Sequence, residues 1–426
     1  MLHVAFETLG CRLNEAESEA WARRFRTVGA EIVPAKQADV VVLNTCAVTQ
    51  EAVRKSRQMI RRLQRANPGA RLVVSGCYAT LQPAEAADAL GVDLVVVNRD
   101  KDRLVELTRN LVGAHHDSPS PDDAAALFTR GRQRAFVKVQ DGCRHRCTFC
   151  IVTVARGEER SRPVADIVTE IQALRAAGIQ EAVLTGVHLG GYGSDLGLEL
   201  ADLIRTILEE TDLPRLRLGS LEPWQLTPGF FQLFPNRRLM PHLHLPLQSG
   251  SDAILKRMAR RCRRDDFRRL ADDLRRHCPD LSLTSDIIVG FPGETEADFQ
   301  QTLALVEKIG FAHLHIFTYS PRSGTAAAAF PDQIPEATKK DRSRRLHALA
   351  ADLRRDALQR HLGHVEPILW EKAREIEGRR IFSGYTPHYL RVQMAVPDAI
   401  DLTNAIRPAR LNALTAEGDQ LVAEPA

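Results

Sequence analysis

The hydrophobic positions of the first quarter of the chain form short apolar runs separated by amphipathic segments. The runs predict strands, and the segments between them repeat apolar residues at helical spacing and predict helices. Short apolar strands that alternate with helices are typical of a parallel sheet with helices on its faces, an α/β fold. The predicted strands are residues 2–6, 40–43, 71–75 and 93–97, and the predicted helices are 14–28, 52–66, 84–90 and 101–111.

The same alternation starts again at residue 133, after a segment that lacks apolar periodicity. Residues 113–132 are rich in Asp, Ser and Pro, which predicts a linker. Six strand–helix units in a row then predict a (βα) barrel or a part of one. The predicted strands are residues 135–140, 182–186, 216–220, 242–248, 283–290 and 313–320, with helices such as 166–177 and 297–309 between them.

The pattern of apolar and polar residues changes twice in the last part of the chain. Residues 335–361 predict a basic helix rich in Ala and Leu, and short apolar runs with turns after Gly363 predict a small β-domain, although the strand pattern is weak after Val396. We therefore expect four segments. They are an α/β domain at 1–112, the linker at 113–132, the barrel at 133–362 and the β-domain at 363–426.

Composition places the chain among ordinary globular proteins. It has 426 residues, of which 44% are hydrophobic and 26% charged, with a net charge of +4. No apolar stretch approaches the roughly 20 residues of a membrane helix, so we expect no membrane partner. The first residues lack the basic and apolar regions of a secretory signal, and we therefore expect a cytoplasmic protein.

Three of the eight cysteines fall within one short segment, Cys143, Cys147 and Cys150. In a long chain without a secretory signal, metal binding is a better explanation than disulfides. Three thiolates can ligate three irons of a 4Fe–4S cluster, and the fourth iron stays open for a ligand. A zinc site that uses His145 or a distant ligand is the alternative, although the second cysteine pair of a zinc ribbon is missing from the sequence.

Three other cysteines, Cys11, Cys46 and Cys77, each follow the end of a predicted strand of the first sheet. Ligands of open α/β sheets bind beyond the carboxyl ends of the strands, so we expect these thiols to converge at one edge. The alternative is that each is a small buried side chain without a chemical role. Cys262 and Cys278 have no partner motif and are interpreted as incidental thiols.

The spacing Cys-x3-Cys-x2-Cys, with Phe149 before the last cysteine, resembles the signature of the radical S-adenosylmethionine (radical SAM) superfamily. Together with the three dispersed cysteines, it resembles the methylthiotransferase family within that superfamily. Five further stretches occur in the same order as in that family. They are ARG at 155–157 with SR at 161–162, LTGVH at 184–188, HLPLQSGSD at 244–252, DIIVGFPGET at 286–295 and HIFTYS at 315–320.

The resemblance implies two 4Fe–4S clusters and S-adenosylmethionine as cofactors. The barrel cysteines would hold the cluster whose open iron binds the methionine part of the cofactor, which is cleaved to a 5′-deoxyadenosyl radical. The dispersed cysteines would hold a second cluster that delivers sulfur, and a C-terminal TRAM β-domain would contact RNA. Phe149 is expected near the adenine, and further expected contacts of the cofactor, at the ends of barrel strands, are Thr185, Gly186, Gln248, Ser249 and Asp286.

The family includes enzymes that act on three substrates. These are isopentenyl-adenosine in tRNA, an aspartate of a ribosomal protein, and N6-threonylcarbamoyladenosine at tRNA position 37. The stretch LTGVHLGGYG, the compact length and Leu369-Trp370-Glu371 look most like the third type, which transfers a methylthio group to C2 of the adenine. The expected partners are tRNA, a reductant such as flavodoxin or ferredoxin, and a sulfur donor. A non-catalytic iron–sulfur protein that binds RNA or assists assembly is the alternative outside the enzymes.

Two basic runs are candidates for contacts with RNA phosphates. Residues 54–65 hold six basic residues and no acidic one, and residues 256–276 hold ten basic and four acidic ones, and both read as helices. Each run could equally be a solvated helix face. The chain from His364 onwards has seven basic and nine acidic residues, so RNA contacts there would depend on individual side chains. The candidates are Arg379, Arg380, Tyr385, Tyr389 and Arg391.

Overall fold

The computed structural model of the chain covers most of the predicted elements. The predicted linker at 113–132 lies outside the described residues except for Gly113, and so do the last two residues of the predicted helix 84–90. The described residues are 1–88, 91–113, 133–376, 378–397 and 399–426.

The N-terminal part is a five-stranded parallel sheet in the order β2-β1-β3-β4-β5. This confirms the predicted α/β fold. The structure adds one strand to the four predicted, β2, whose two residues are too few to give a sequence pattern. The strands are β1 (His3–Thr8), β2 (Glu31–Ile32), β3 (Val40–Thr45), β4 (Arg71–Gly76) and β5 (Leu94–Val96). The helices are α1 (Arg12–Arg26), α2 (Gln50–Ala66), α3 (Cys77–Leu81), α4 (Pro83–Asp88) and α5 (Leu104–Leu111).

The central strand β3 shows why this sheet needs helices on both faces. All six of its residues are buried. Val41 and Leu43 belong to the apolar cluster that includes Ile60 of α2. Val40 and Val42, which point to the opposite face, belong to the cluster that includes Trp21 of α1. A strand covered on both sides contains a continuous apolar run, which is the pattern read from residues 40–43 of the sequence.

The central part is a six-stranded partial barrel, as predicted. Two parallel three-stranded sheets, β6-β9-β10 and β11-β12-β13, are joined by isolated parallel bridges between Leu216 and Leu239 and between Ser220 and His244. The strands are β6 (Arg134–Lys138), β7 (Gln140–Asp141), β8 (Arg160–Ser161), β9 (Glu181–Thr185), β10 (Arg215–Leu218), β11 (His242–His244), β12 (Ser282–Val289) and β13 (His313–Thr318), with β7 and β8 forming a separate pair.

The helices of this part differ from the prediction at one place. The basic run 256–276 is two helices separated by residues 258–263, so its reading as one helix was wrong. The predicted strand 242–248 also ends early, at His244, because Pro246 has no N–H for a ladder bond. The helices are α6 (Val152–Arg156), α7 (Val164–Ala176), α8 (Leu200–Glu210), α9 (Pro228–Phe231), α10 (Asp252–Arg257), α11 (Arg264–His277), α12 (Glu296–Ile309) and α13 (Glu336–Gln359).

The C-terminal part is a small closed barrel in the order β14-β15-β16-β18-β17. Trp370 is fully buried in its core. The prediction of a β-domain is confirmed, but β17 was missed, because only Ala409 and Leu411 of this strand are buried and Pro408 interrupts its pattern. The strands are β14 (Val365–Ile376), β15 (Arg379–Tyr385), β16 (Arg391–Val396), β17 (Ile406–Leu414) and β18 (Leu421–Pro425).

The partial barrel has two edge strands, β6 and β13, and the other two parts of the chain pack against this open side. Helix α1 of the N-terminal sheet contacts β6. Ala312, next to β13, and Leu358 of α13 belong to the core cluster of the C-terminal barrel. Arg134 of β6 also forms an ion pair of 3.1 Å with Glu371 of that barrel. The interior of the partial barrel is therefore enclosed by residues from all three parts.

Membrane insertion was not expected from the hydropathy of the chain. Within the described ranges, no helix combines the length and the apolar character that crossing a bilayer requires.

Candidate functional site

The three dispersed cysteines come together at one edge of the N-terminal sheet. Cys11 caps α1 after β1, Cys46 directly follows β3, and Cys77 begins α3 directly after β4. Because β1, β3 and β4 are adjacent parallel strands, their carboxyl ends share one edge. Burial, together with the neighbouring thiols, raises the pKa of Cys46 to about 11 and also raises that of Cys77. The three thiols are thus close enough to interact electrostatically.

Two glycines allow this close approach. Gly10 and Gly76 have φ angles of +110° and +94°, which side chains other than hydrogen rarely tolerate. A Cβ atom at Gly10 would lie 2.8 Å from the Cβ of Cys46, and one at Gly76 would collide with the backbone oxygen of Thr45. The backbone therefore leaves room between the strand ends for the three thiols.

The barrel cysteines lie on the loop between β7 and α6. The loop is fixed to the end of α10, since the backbone N–H of Thr148 donates to the oxygen of Met258 at 3.1 Å and its hydroxyl donates to the oxygen of Arg257 at 2.9 Å. Burial and the charges of neighbouring thiols raise the pKa of Cys143 to about 12 and that of Cys150 to about 11. All three cysteines are half-buried.

A buried arginine that sequence reasoning missed lies beside this trio. Arg260 approaches the sulfur of Cys147 at 3.9 Å and forms an ion pair of 2.8 Å with Glu222. It also donates to the oxygen of Pro246 at 2.6 Å and lies 4.5 Å from the ring of Trp224. Burial raises the pKa of Cys147, and the positive charge of Arg260 opposes that rise. The guanidinium therefore favours the thiolate form that a metal requires.

The donor set of the barrel trio fits an iron–sulfur cluster better than zinc. His145, the sequence-based alternative, lies 3.0 Å from His188, and burial together with His188 lowers the pKa of His145 to about 4. His188 in turn lies 2.5 Å from Glu159. The donor atoms of Cys143, Glu159 and His188 lie within 4.8 Å of one another, so a zinc ion there would use only one cysteine. Three neighbouring thiols match the ligand requirement of a 4Fe–4S cluster with one open iron.

A single cavity of about 730 Å³ joins the N-terminal thiols to the interior of the barrel. Its wall contains Cys11, Cys46 and Cys77. Of the residues predicted to contact S-adenosylmethionine, Thr185, Gly186 and Asp286 line the same cavity. The structure therefore brings the dispersed trio and three predicted cofactor contacts to one space.

The remaining predicted contacts lie elsewhere, and their role stays a prediction. Phe149 packs against an apolar cluster that includes Met258 and Phe291. The hydroxyl of buried Ser249 lies 3.4 Å from that of Thr302 on α12. Gln248 has a φ angle of +72°, and its backbone pairs with Asp286 and Ile288 of β12. Positive φ in a residue other than glycine is a strained conformation of the kind that occurs at functional sites.

Histidines on two barrel strands also line the cavity. They occur as His-x-His in β11 and in β13, and alternate residues of a strand share a face. His244 lies 3.2 Å from Asp286. Burial and neighbouring positive charges lower the pKa of His313 to about 4 and also lower that of His315. This His-x-His repeat is visible in the sequence, but its histidines were not among the predicted site residues.

A buried charge network connects the N-terminal sheet to the barrel. Glu17 of α1 accepts from Arg156 at 2.8 Å and from Lys101 at 2.7 Å. Asp141 accepts from Arg156 at 3.1 Å and forms ion pairs with Lys101 and Lys138. Burial alone would raise the pKa of Glu17, but the surrounding cations hold it well below its usual range. Arg156 contacts both carboxylates of this network. It also lines the cavity beside Cys77.

We expect Glu17→Gln to destabilise the protein by about 3–5 kcal/mol, because removing one partner of a buried ion pair leaves the other charges uncompensated. Urea unfolding, monitored by circular dichroism, measures this change. Glu106→Gln is the matched control, since it breaks an exposed pair with Arg103 and should leave the unfolding free energy close to that of the wild type. Equal effects of the two substitutions would contradict the structural role of the network.

Two of the predicted RNA contacts, Tyr385 and Tyr389, lie in the wall of the cavity. Tyr385 and Tyr389 stack on each other, with ring centroids 4.9 Å apart. The guanidinium of Arg134 lies 4.3 Å from the ring of Tyr385, and that of Arg217 lies 4.7 Å from the ring of Tyr389. The two tyrosines therefore lie in the cavity wall between the partial barrel and the C-terminal barrel, and their contact with RNA stays a prediction.

The two basic runs also differ from each other. On α11 of the second run, Arg268, Arg269 and Arg276 pair with aspartates three or four residues away. On α2 of the first run, arginines line a separate cleft of about 400 Å³ together with Arg322, whose charge interacts with the thiol of Cys46. Two of the α2 arginines are also paired, Arg54 with Glu51 and Arg57 with Glu85, so the cleft is what distinguishes α2 and phosphate contact by either run stays a prediction. The cleft arginines of α2 are Arg54, Arg57 and Arg61.

Comparison with known proteins agrees with this geometry. Residues 3–97 match the model of an uncharacterised protein family, UPF0004, and residues 137–306 match the radical SAM superfamily. The threonylcarbamoyladenosine tRNA methylthiotransferase MtaB of Bacillus subtilis is 38% identical, over 92% of this chain and 90% of the relative. The MtaB protein of Thermotoga maritima is also 38% identical, over 92% of this chain and 91% of the relative. The chain belongs to the tRNA methylthiotransferase family.

Another type of tRNA methylthiotransferase is similar as well. The tRNA-2-methylthio-N(6)-dimethylallyladenosine synthase of Moorella thermoacetica is 37% identical, over 80% of this chain and 81% of the relative. The predicted family is thereby confirmed. Radical SAM methylthiotransferases carry two 4Fe–4S clusters and use S-adenosylmethionine, which agrees with the two cysteine trios of this methylthiotransferase.

Solved structures support the fold alone. The radical S-adenosylmethionine methyltransferase TsrM from Kitasatospora setae, with cobalamin and a 4Fe–4S cluster bound, aligns with a TM-score of 0.57 at 15% identity over 77% of each chain. The cobalamin-dependent enzyme OxsB aligns with a TM-score of 0.52 at 12% identity, over 81% of this chain and 56% of that chain. Both likenesses are consistent with a helix-covered sheet next to a radical SAM barrel.

Proposed function

We propose that this protein transfers a methylthio group to C2 of N6-threonylcarbamoyladenosine at position 37 of tRNA. The observation that carries the proposal is the cavity of about 730 Å³, which joins the N-terminal trio of thiols to the interior of a radical SAM barrel. Such a space can hold one base next to the proposed source of sulfur, inside the barrel whose loop carries Cys143, Cys147 and Cys150. Relatives named for this activity are 34–38% identical and support the choice of substrate.

Each part of the chain has a role in this proposal. Residues 1–112 hold the sulfur-delivering cluster on Cys11, Cys46 and Cys77, and residues 133–362 hold the radical cluster on the barrel trio. Residues 113–132 link these two domains, and residues 363–426 form the TRAM-like domain that contacts RNA. When bound, the barrel cluster and S-adenosylmethionine supply the reductive cleavage from which the radical comes.

The side chains around the thiols prepare them for ligation. Iron binds thiolates, so the raised pKa values of Cys77 and Cys143 mean that loading must release protons at both sites. Arg260 beside Cys147 and Arg156 beside Cys77 place positive charge at each site and compensate the negative charge of the thiolates. Thr185, Gly186 and Asp286 line the cavity that contains the N-terminal thiols and are available to orient the cofactor and the base.

The reaction implies partners besides tRNA. Reductive cleavage consumes an electron, so a one-electron reductant such as flavodoxin or ferredoxin is required. The product gains a sulfur atom and a methyl group, so a sulfur donor and a second S-adenosylmethionine are required. A cytoplasmic location fits these partners.

RNA binding by the arginine-lined cleft gives a testable salt dependence. Each neutralised phosphate contributes about 0.7–0.9 to the slope of log affinity against log salt concentration. If Arg54, Arg57 and Arg61 contact phosphates, replacing all three by Gln should reduce this slope by about 2–3 and weaken binding of all tRNA sequences. Titration of tRNA at several salt concentrations measures the slope.

Replacement of Arg268, Arg269 and Arg276 by Gln is the matched control for that titration. It removes the same number of charges from α11, whose three arginines pair with aspartates and do not line the α2 cleft. The control should leave the slope nearly unchanged. An unchanged slope in the cleft variant would show that α2 is a solvated face instead.

The proposed activity can be tested with the reconstituted protein. It is incubated with S-adenosylmethionine, a reductant, sulfide and anticodon stem-loops that carry threonylcarbamoyladenosine or isopentenyl-adenosine at position 37. Mass spectrometry of the digested RNA should detect the methylthio product from the first stem-loop. Product from the second stem-loop alone would favour the other tRNA activity, and failure to cleave S-adenosylmethionine would favour a non-catalytic protein.

A further inference from the structure

Two arginines of the cavity wall, Arg354 and Arg391, belong to none of the ion pairs that hold the wall together. Arg354 lies on α13, one turn before Leu358, which lines the same cavity. Arg391 is the first residue of β16 in the C-terminal barrel. Both side chains are half-buried, and neither makes a hydrogen bond or an ion pair within the residues that the structure describes.

The other charged residues of the wall already have partners. Arg12 donates to the hydroxyl of Tyr389 at 2.9 Å, and Arg156 is held by the buried charge network. Asp286 pairs with His244, and Asp419 accepts from Thr415 at 2.9 Å. The cavity therefore has two unused positive charges and no unused negative charge in the described part of its wall.

We infer that Arg354 and Arg391 bind the carboxylate of the substrate's threonyl group. The inference rests on the proposed function, because threonylcarbamoyladenosine carries a carboxylate at the end of its N6 substituent. The isopentenyl group of the competing substrate is a hydrocarbon and has nothing to offer a guanidinium. The two arginines would thus select between the two tRNA nucleosides.

The chemistry of the surrounding wall supports a carboxylate ligand. Arginine presents planar N–H donors that match the two oxygens of a carboxylate. Burial and neighbouring positive charges lower the pKa of the nearby His313 to about 4 and also lower those of His242 and His315. These three imidazoles therefore do not compete with the arginines as cations. An apolar substituent placed there would leave both guanidinium groups desolvated without a partner, which is unfavourable.

The position of the arginines is also suitable. Cys11, Cys46 and Cys77 enter the cavity from the N-terminal sheet, whereas Arg354 and Arg391 enter it from α13 and the C-terminal barrel. A base whose C2 faces the thiols needs partners for its N6 substituent on another part of the wall. The C-terminal barrel would then contribute to substrate choice through Arg391, although its net charge is negative.

The test compares two stem-loops that differ only in this charge, one with threonylcarbamoyladenosine and one with its methyl ester. The wild type should prefer the acid by about tenfold to a hundredfold in kcat/KM, as expected for the loss of charge-assisted hydrogen bonds. The variant with Arg354→Gln and Arg391→Gln should lose this preference and act equally slowly on both. The single variant Arg354→Lys keeps the charge and should retain a part of the preference.

Arg344→Gln is the matched control, because Arg344 lies on the same helix, is 79% exposed and pairs with Asp341. It should keep the full preference for the acid. Iron content and thermal unfolding establish that the double variant is folded and loaded. If a folded double variant still prefers the acid, the inference is wrong.

The outcomes also separate this inference from the proposed function. A wild type that modifies the acid and the ester equally would overturn the role of the arginines and leave the activity intact. A wild type that modifies neither form but accepts isopentenyl-adenosine would overturn the proposed function and the inference together.

Discussion

Replacing any one of Cys143, Cys147 and Cys150 by alanine should abolish the formation of 5′-deoxyadenosine from S-adenosylmethionine. A methyl group cannot replace a thiolate ligand, and the described loop offers no further cysteine to take its place. We also expect the iron content of each variant to fall by about one of the two clusters. Chromatography of the small-molecule products and iron analysis measure the two effects.

Cys278→Ala is the control for this experiment. Its thiol is half-buried at the end of α11, in a position without a partner motif. It should retain both clusters and normal cleavage of S-adenosylmethionine. If all three variants of the barrel trio cleave the cofactor at the wild-type rate, the barrel does not hold the radical cluster on these cysteines.

Replacing Cys11, Cys46 or Cys77 by alanine should have a different effect. These thiols lie at the edge of the N-terminal sheet, whereas the barrel trio lies on a loop of the central barrel. We expect each variant to lose the methylthio product while a part of the cofactor cleavage survives, because the barrel ligands are untouched. Parallel measurement of 5′-deoxyadenosine and of the modified nucleoside shows the separation.

The same assay can contradict the assignment of the second site. Full methylthio product from all three variants would mean that the N-terminal thiols do not deliver sulfur. Loss of cofactor cleavage to the level of the barrel variants, in protein that keeps its fold, would mean that the two sites do not act separately. The buried network around Arg156 connects the two loops, so the fold must be checked by circular dichroism for each variant.

The convergence of Cys11, Cys46 and Cys77 could be predicted because it follows from topology. Each cysteine follows a strand whose apolar run was visible in the sequence, and parallel neighbours end at the same edge of a sheet. The barrel trio likewise lies on the loop that follows β6 and β7. Because the rule for parallel strands relates order in the sequence to position in the sheet, the sequence was sufficient to predict where the N-terminal thiols meet.

The buried charge network could not be predicted because its members are far apart in sequence. Glu17, Lys101 and Arg156 meet only after three segments have packed. The sequence does contain one sign of it, since Glu17 lies four residues after Leu13 and four before Trp21, both on the buried face of α1. A carboxylate on an apolar face requires a partner, but periodicity does not identify which one.

The strand β17 and the second basic run show two other limits. β17 was hidden because few of its residues are buried, so alternation was weak. The pairs on α11 were readable, because Asp266 and Arg269 stand three residues apart and such residues are neighbours on a helix. Counting net charge without this spacing overestimated the number of arginines available to RNA.

The nucleosides of tRNA from a living host test the central claim most directly. The protein is expressed in a bacterium from which the host's own methylthiotransferases have been deleted, and the tRNA is digested and analysed by mass spectrometry. We predict that 2-methylthio-N6-threonylcarbamoyladenosine appears with the wild-type protein and is absent with the Cys46→Ala and Cys147→Ala variants. Appearance of methylthio-isopentenyl-adenosine alone, or of no methylthio nucleoside with the wild type, would contradict the account.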